Sequence, residues 1–176
     1  MSADEYRSFA ADYHWFFDDV ALRLGSDMPG VRAALSSLSP GSRVLDAACG
    51  IAVDATWLHR RGHSVAAADA SEPMIDVARS RLAELGLIGR IELERSRWDE
   101  LDRHFERGTF DLVLCTGSAI AHEPDAAATI RALESLRSML RPGGMLVVDS
   151  HDWDVVLAGD DAPTIDPVAV SYTHLT

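Results

Sequence analysis

Short apolar runs alternate with longer amphipathic stretches along most of this 176-residue chain. Five runs rich in Val, Ile, Leu and Ala recur, from Arg43 to Ala48, Ser64 to Asp69, Arg90 to Glu94, Phe110 to Thr116 and Met145 to Ser150. Such runs predict strands covered on both faces. Between them the apolar spacing becomes that of a helix. Ser71 is placed to cap a helix in which Met74, Ala78, Leu82 and Leu85 share one stripe and Gly86 supplies the stop. A second predicted helix starts near Pro124, carries Ile130, Leu133, Leu136 and Leu140 at helical spacing, and ends in the turn Arg141-Pro142-Gly143-Gly144. A third runs from about Val53 to Arg61, closed by Gly62. Ahead of the first strand, Asp4 to Leu24 and Asp27 to Leu38 read as helices able to fold over the sheet's carboxyl edge.

Strands and helices alternating at this pitch predict an α/β fold of right-handed βαβ units around a parallel sheet. In such a sheet the ligand sits beyond the carboxyl ends of the strands, where the strand order reverses.

With 47% apolar and 25% charged residues the chain can build one domain with its own core. The 16 basic against 28 acidic side chains leave a formal net charge of −12. The close basic pairs, Arg60-Arg61 and Arg95 with Arg97, are flanked by acids or apolar sequence, so nucleic acid is not an expected partner. The acidic N-terminus lacks the regions of a signal peptide, and no apolar run approaches the roughly 18 residues that cross a bilayer. A cytoplasmic protein without a membrane partner is expected, and composition leaves its oligomeric state open. Each of the two cysteines, Cys49 and Cys115, follows a strand-like run, where a small buried thiol is expected rather than a disulfide or metal ligand.

The first strand leads into Val44-Leu45-Asp46-Ala47-Ala48-Cys49-Gly50-Ile51-Ala52, and a helix follows. Small residues at 48, 50 and 52 let the backbone turn sharply and approach a ligand closely. Asp46 lies inside this segment, and a second acid, Asp69, ends the next strand about 20 residues later, the offset at which a carboxylate accepts hydrogen bonds from both ribose hydroxyls. The alternative role for Asp69 is helix capping, which Ser71 already serves.

Val44 to Gly50 resembles motif I of the class I, Rossmann-like methyltransferases, and Ala68-Asp69-Ala70-Ser71-Glu72-Pro73-Met74 is similar to their motif II. The resemblance continues through Phe110 to His122 and Leu140 to Asp149, spans roughly residues 42 to 154, and is closest to the glycine/sarcosine N-methyltransferase group. It implies S-adenosylmethionine as cofactor. On that resemblance Asp69 holds the ribose, with Ala70 beside it, and Ala48, Cys49 and Gly50 face the methionine half. Asp46 helps to hold the loop and the amino group, and Met74 lies against adenine or serves as ordinary helix core. Arg97-Trp98 stands where the group has Asn-Trp, so Trp98 is expected to pack on adenine or donate through its backbone. Arg97 departs from the pattern, with Asp99 as a possible substitute. Cys115 and Thr116, at the end of the fourth strand, complete this candidate set, together with Tyr13 if the segment Asp12 to Phe17 supplies a lid over the cofactor.

His122 falls on a family histidine near cofactor and substrate. His151 stands where the glycine enzymes have an arginine that clamps the substrate carboxylate, and Ser118 replaces their asparagine. Both histidines are candidates to accept a proton or orient the acceptor. Without the bidentate clamp glycine loses its main recognition element, which leaves the acceptor a small molecule, with amines and amino acids as the suggested class. Ile51-Ala52 replaces the usual Thr-Gly, and the added methyl is expected to weaken cofactor binding by about 1–3 kcal/mol.

Methyl transfer from a sulfonium needs an aligned nucleophile, exclusion of water and, where required, removal of a proton. No Ser/His/Asp triad or metal cluster is required, and neither is evident. The Asn/Asp-Pro-Pro-aromatic motif of base methyltransferases is absent after the fourth strand. Two rivals share part of the pattern. An NAD-dependent dehydrogenase shares the strand, loop and distal acid, but expects a G-x-G-x-x-G rhythm that this loop, with valine at 53, does not keep. A non-catalytic or truncated nucleoside-binding domain is the other. The expected organisation is a helical N-terminal cap over residues 1–40 and a cofactor-binding domain over 41–169, truncated after strand five. The final residues 170–176 resemble the conceptual translation of a transposon-end adapter, and are expected to be a non-native tail on a product that naturally continues.

Overall fold

Adjacent residues in the central strands are buried on opposite faces: Val44 and Leu45, Ala67 and Ala68, and Leu112 and Val113 are all fully buried. A strand hidden on both sides needs a layer of structure on each. The computed structural model describes residues 29–150 and supplies both layers. The helices expected before residue 29, the Tyr13 lid, His151 and the 170–176 tail lie outside the described residues.

The elements are α1 (Pro29–Ser36), β1 (Arg43–Asp46), α2 (Val53–Arg60), β2 (Ser64–Asp69), α3 (Glu72–Glu84), β3 (Glu92–Arg95), β4 (Phe110–Cys115), α4 (Ala126–Met139) and β5 (Leu140–Val148). Short 3₁₀ turns at Trp98–Arg103 and Ala119–His122 follow β3 and β4. The five strands pair in the order β3-β2-β1-β4-β5, every pair parallel. The chain steps outward from β1 to β3 and then returns to the other side of β1, so the order reverses between β1 and β4. This is the α/β parallel-sheet arrangement the pattern predicts and the Rossmann-like fold the resemblance implies. On one face α1, α2 and α3 contribute Val31, Leu58, Ile75 and Leu82; on the other, α4 and the first 3₁₀ turn contribute Leu101, Leu136 and Met139.

Local signals place the helix starts. Ser71 Oγ accepts from Met74 N at 3.4 Å, and Asp125 Oδ1 accepts from Ala128 N at 2.7 Å. Each cap is worth about 1 kcal/mol. The buried faces are less well anticipated. In α4 the residues that go inside are Ala128, Ala132, Leu136 and Met139, whereas Ile130 is 57% exposed. In α3 Ile75 is buried, and Leu85, just past the helix end, is exposed.

β5 begins earlier than expected. Leu140 pairs with Phe110 and Met145 with Leu112, so the anticipated turn at 141–144 is a bulge inside the strand. Pro142 has no N–H to offer the ladder, which favours such an interruption. The Arg141 guanidinium bonds Asp111, which also accepts from Arg43 N at 2.7 Å, and this ties the bulge to the sheet. Gly144 is required by space: a Cβ there would stand 2.9 Å from the Phe110 carbonyl oxygen, which is backbone and cannot turn aside.

Cys49 and Cys115 are both buried, in the cores on opposite faces of the sheet. Burial, reinforced by Asp46 beside Cys49 and Asp149 beside Cys115, pushes both thiols well above their ordinary range.

Two outcomes follow for stability. Gly144→Ala lowers it by about 1–3 kcal/mol, the cost of forcing atoms into a filled site, read as a shift in the denaturant midpoint. Neither thiol reacts with an aromatic disulfide reagent at pH 8 in the native protein, and both react once it is unfolded. Above about pH 8.5 the unfolded chain releases its thiol protons first, so stability falls as pH rises, and Cys115→Ala flattens that slope in denaturant titrations.

Candidate functional site

Beyond β1 the chain stays tied on both sides before it turns. Ala47 N donates to Leu114 O at 2.8 Å, and Cys49 N to Ala68 O at 3.0 Å. The turn comes at Gly50, whose φ of +50° lies where glycine is favoured. Its N–H donates to Asp69 Oδ2 at 2.9 Å, while Asp69 Oδ1 accepts from Ser71 N at 2.8 Å. One carboxylate at the end of β2 thus joins the bend after β1 to the start of α3. Burial raises the Asp69 pKa, although both N–H groups and the nearby His122 imidazole favour its charged form.

From β3 the chain enters a further wall. Ser96 N donates to Asp69 O at 3.0 Å, and the indole Nε1–H of Trp98 donates to Ala47 O at 2.8 Å. Arg97 is exposed and pairs with Asp99, Nε to Oδ1 at 3.4 Å. Across the sheet, Ser118 holds a left-handed conformation, φ +56°. Gly117 N and Ser118 N donate to the Asp149 carboxylate at 3.1 and 2.8 Å. That bend delivers Ala119 and His122 to the same opening.

These segments enclose a cavity of about 900 Å³. Of the residues proposed from sequence, Ala48, Asp69, Ala70, Arg97, Trp98 and His122 line it together. Gly50 lies two residues past Ala48, the last lining residue of the loop, and is joined to the wall through its bond to Asp69. Asp46, Cys49, Cys115 and Thr116 are buried and do not line the cavity. Met74 is 4% exposed and stands outside the wall as well, because a helix beginning at Glu72 turns position 74 inward with Ala78. Glu72 and Pro73 line the cavity there instead. Cys115 and Thr116 precede the Ser118 bend, and only the residues after it reach the opening.

Sequence reasoning missed the contribution of α4, where Ala128, Arg131 and Ala132 form one wall. The signal was present as small residues four apart, but alanine is also the commonest helix filler. The expected penalty at Ala52 also changes character. Its methyl is fully buried in the core and does not line the cavity. What the residue carries is a left-handed φ of +59°, a strain of about 1–2 kcal/mol borne by the fold.

The wall offers groups that a nucleoside can use. An ionised carboxylate has about four lone-pair sites, so Asp69 keeps capacity for ribose hydroxyls after accepting from Gly50 and Ser71. Trp98 offers an apolar ring, and the volume lies within the usual range for ligand cavities. Among the described residues no group of three or more His, Cys, Asp or Glu is arranged to hold a metal, and no helix is long and apolar enough to cross a membrane.

The comparisons agree with this geometry. Residues 44–144 match the family model described as a methyltransferase domain. Glycine N-methyltransferase of Rattus norvegicus is 37% identical over 129 residues, covering 69% of this chain and 44% of that protein. Glycine/sarcosine N-methyltransferase of Halorhodospira halochloris is 30% identical over 116 residues, 66% of this chain and 42% of that protein. The chain therefore spans less than half the length of these curated relatives. In fold it is similar to an S-adenosylmethionine-dependent methyltransferase from Clostridium acetobutylicum, with a TM-score of 0.66 at 20% identity over 84% of this chain and 58% of that one. The chain belongs to the class I S-adenosylmethionine-dependent methyltransferase family.

Proposed function

We propose that this domain binds S-adenosylmethionine in the cavity at the carboxyl ends of β1, β2, β3 and β4 and transfers its methyl group to a small-molecule acceptor, an amine or amino acid. The observation that carries the reading is the 2.9 Å bond from Gly50 N to Asp69 Oδ2, which joins the small-residue bend and the acidic strand end in a single site. A dehydrogenase loop would carry a third glycine where this chain has Val53, already in α2.

When bound, the cofactor supplies a methyl group already activated on its sulfonium. The work left to the protein is positional. Asp69 accepts from the ribose hydroxyls, Ala48 brings main chain to the methionine half, and Trp98 walls the adenine side from water. His122, at the cavity mouth on the 3₁₀ turn after β4, is the group proposed to take a proton from the acceptor or orient it. His151 is the second candidate for that role. The acceptor class rests on the relatives named for glycine and sarcosine.

The decisive assay is calorimetric binding of S-adenosylmethionine, followed by methyl transfer to a panel of amines, amino acids and small carboxylates. Absence of cofactor binding overturns the proposal, and turnover only with other panel members overturns the acceptor class. Asp69→Ala weakens cofactor binding about 10- to 100-fold, the value of hydrogen bonds to a charged acceptor. Because the ionised form accepts the hydroxyls and burial raises its pKa, affinity falls on acidification from a point above the ordinary carboxylate value of about 4. Asp69→Asn abolishes that dependence, as a titration of affinity between pH 4.5 and 7.5 will record.

A further inference from the structure

The bend that receives the methionine half is held at two ends. Asp69 holds Gly50 from the adjacent strand. The other end is held from farther away: Trp98, beyond β3, reaches past β2 to place its indole N–H 2.8 Å from the Ala47 carbonyl. Trp98 is itself restrained, since the Ser135 hydroxyl on α4 donates to the Trp98 carbonyl. Ser135 follows Ala128, Arg131 and Ala132 along α4, the residues of that helix that line the cavity.

Strand pairing does not need this bond. Ala47 N already donates to Leu114 O at 2.8 Å, which keeps the segment on β4. The indole acts on the carbonyl, and the planar peptide makes the Ala47 carbonyl and the Ala48 N–H a single rigid unit. Pinning one atom therefore sets the direction of the next N–H, at a residue in the cavity wall. Both Ala47 and Trp98 line that wall, so the bond forms part of the surface a ligand meets.

We propose that Trp98, held by Ser135, is a positioning residue for the cofactor loop: its indole N–H fixes the Ala47–Ala48 peptide and thereby the bend offered to the amino-acid end of the cofactor. This rests on the proposed cofactor site and assigns the indole N–H a task separate from any packing of its ring on adenine. Ser135 acts through Trp98, from the opposite wall.

The test measures binding of two probes to the full chain by calorimetry. S-adenosylhomocysteine carries the amino-acid end, and methylthioadenosine lacks it. Trp98→Phe keeps an aromatic face and removes the N–H; Ser135→Ala removes the hydroxyl, and Ser135→Thr retains one. The loss of one hydrogen bond predicts about 5- to 10-fold weaker S-adenosylhomocysteine binding in Trp98→Phe and Ser135→Ala, with methylthioadenosine changed less than about twofold. Ser135→Thr restores the first probe. Equal weakening of both probes, or of neither, overturns the positioning role while leaving the cofactor site intact. Should Trp98→Phe fail to fold, the Ser135 pair decides by the same criterion. Wild-type protein that binds neither probe overturns the site reading itself, and the positioning role with it.

Discussion

The site is organised by one half-buried carboxylate. Asp69 loses hydration at the end of β2, a cost reflected in its raised pKa, and is compensated by two backbone N–H groups, Gly50 at 2.9 Å and Ser71 at 2.8 Å. Those partners belong to different units, the bend after β1 and the start of α3. The cavity floor is therefore defined before any ligand arrives, and the ligand meets an acceptor whose direction is already set. Preorganisation of this kind limits the ordering cost of binding.

The same device recurs on the far side of the strand-order reversal. After β4 the chain bends at Gly117 and Ser118, and both N–H groups are taken by Asp149, which follows β5. In each case a carboxylate at the end of the outer strand holds the bend that follows its inner neighbour. Parallel pairing makes this possible, because it brings the carboxyl ends of adjacent strands to the same edge. The two bends face one another across the reversal. The first presents Ala48, and the second leads to Ala119 and His122.

Much of this was legible in the chain. The five strands, the caps at Ser71 and the bend at Gly50 depend on residues within a few positions of one another, and local stereochemistry decides them. The acid some 20 residues past the bend was legible for a related reason, since one βαβ unit has a nearly constant length. Side-chain direction was harder to read. Met74 satisfies the motif offset and yet turns into the core, and Cys115 and Thr116 lie one bend short of the opening. Along α4 the large Ile130 dominates the apolar pattern but is left exposed, while Ala128 and Ala132 form the wall.

By itself, then, the sequence determined the alternation of strands and helices, the glycine bend and the acid that answers it, because each follows from backbone preference and short-range spacing. Tertiary structure alone decided which face of α4 looks into the cavity, how β5 slips past β4 at Gly144, and that the Trp98 indole reaches the Ala47 carbonyl. Those outcomes depend on how elements dozens of residues apart pack against a common sheet, and no local pattern carries that information.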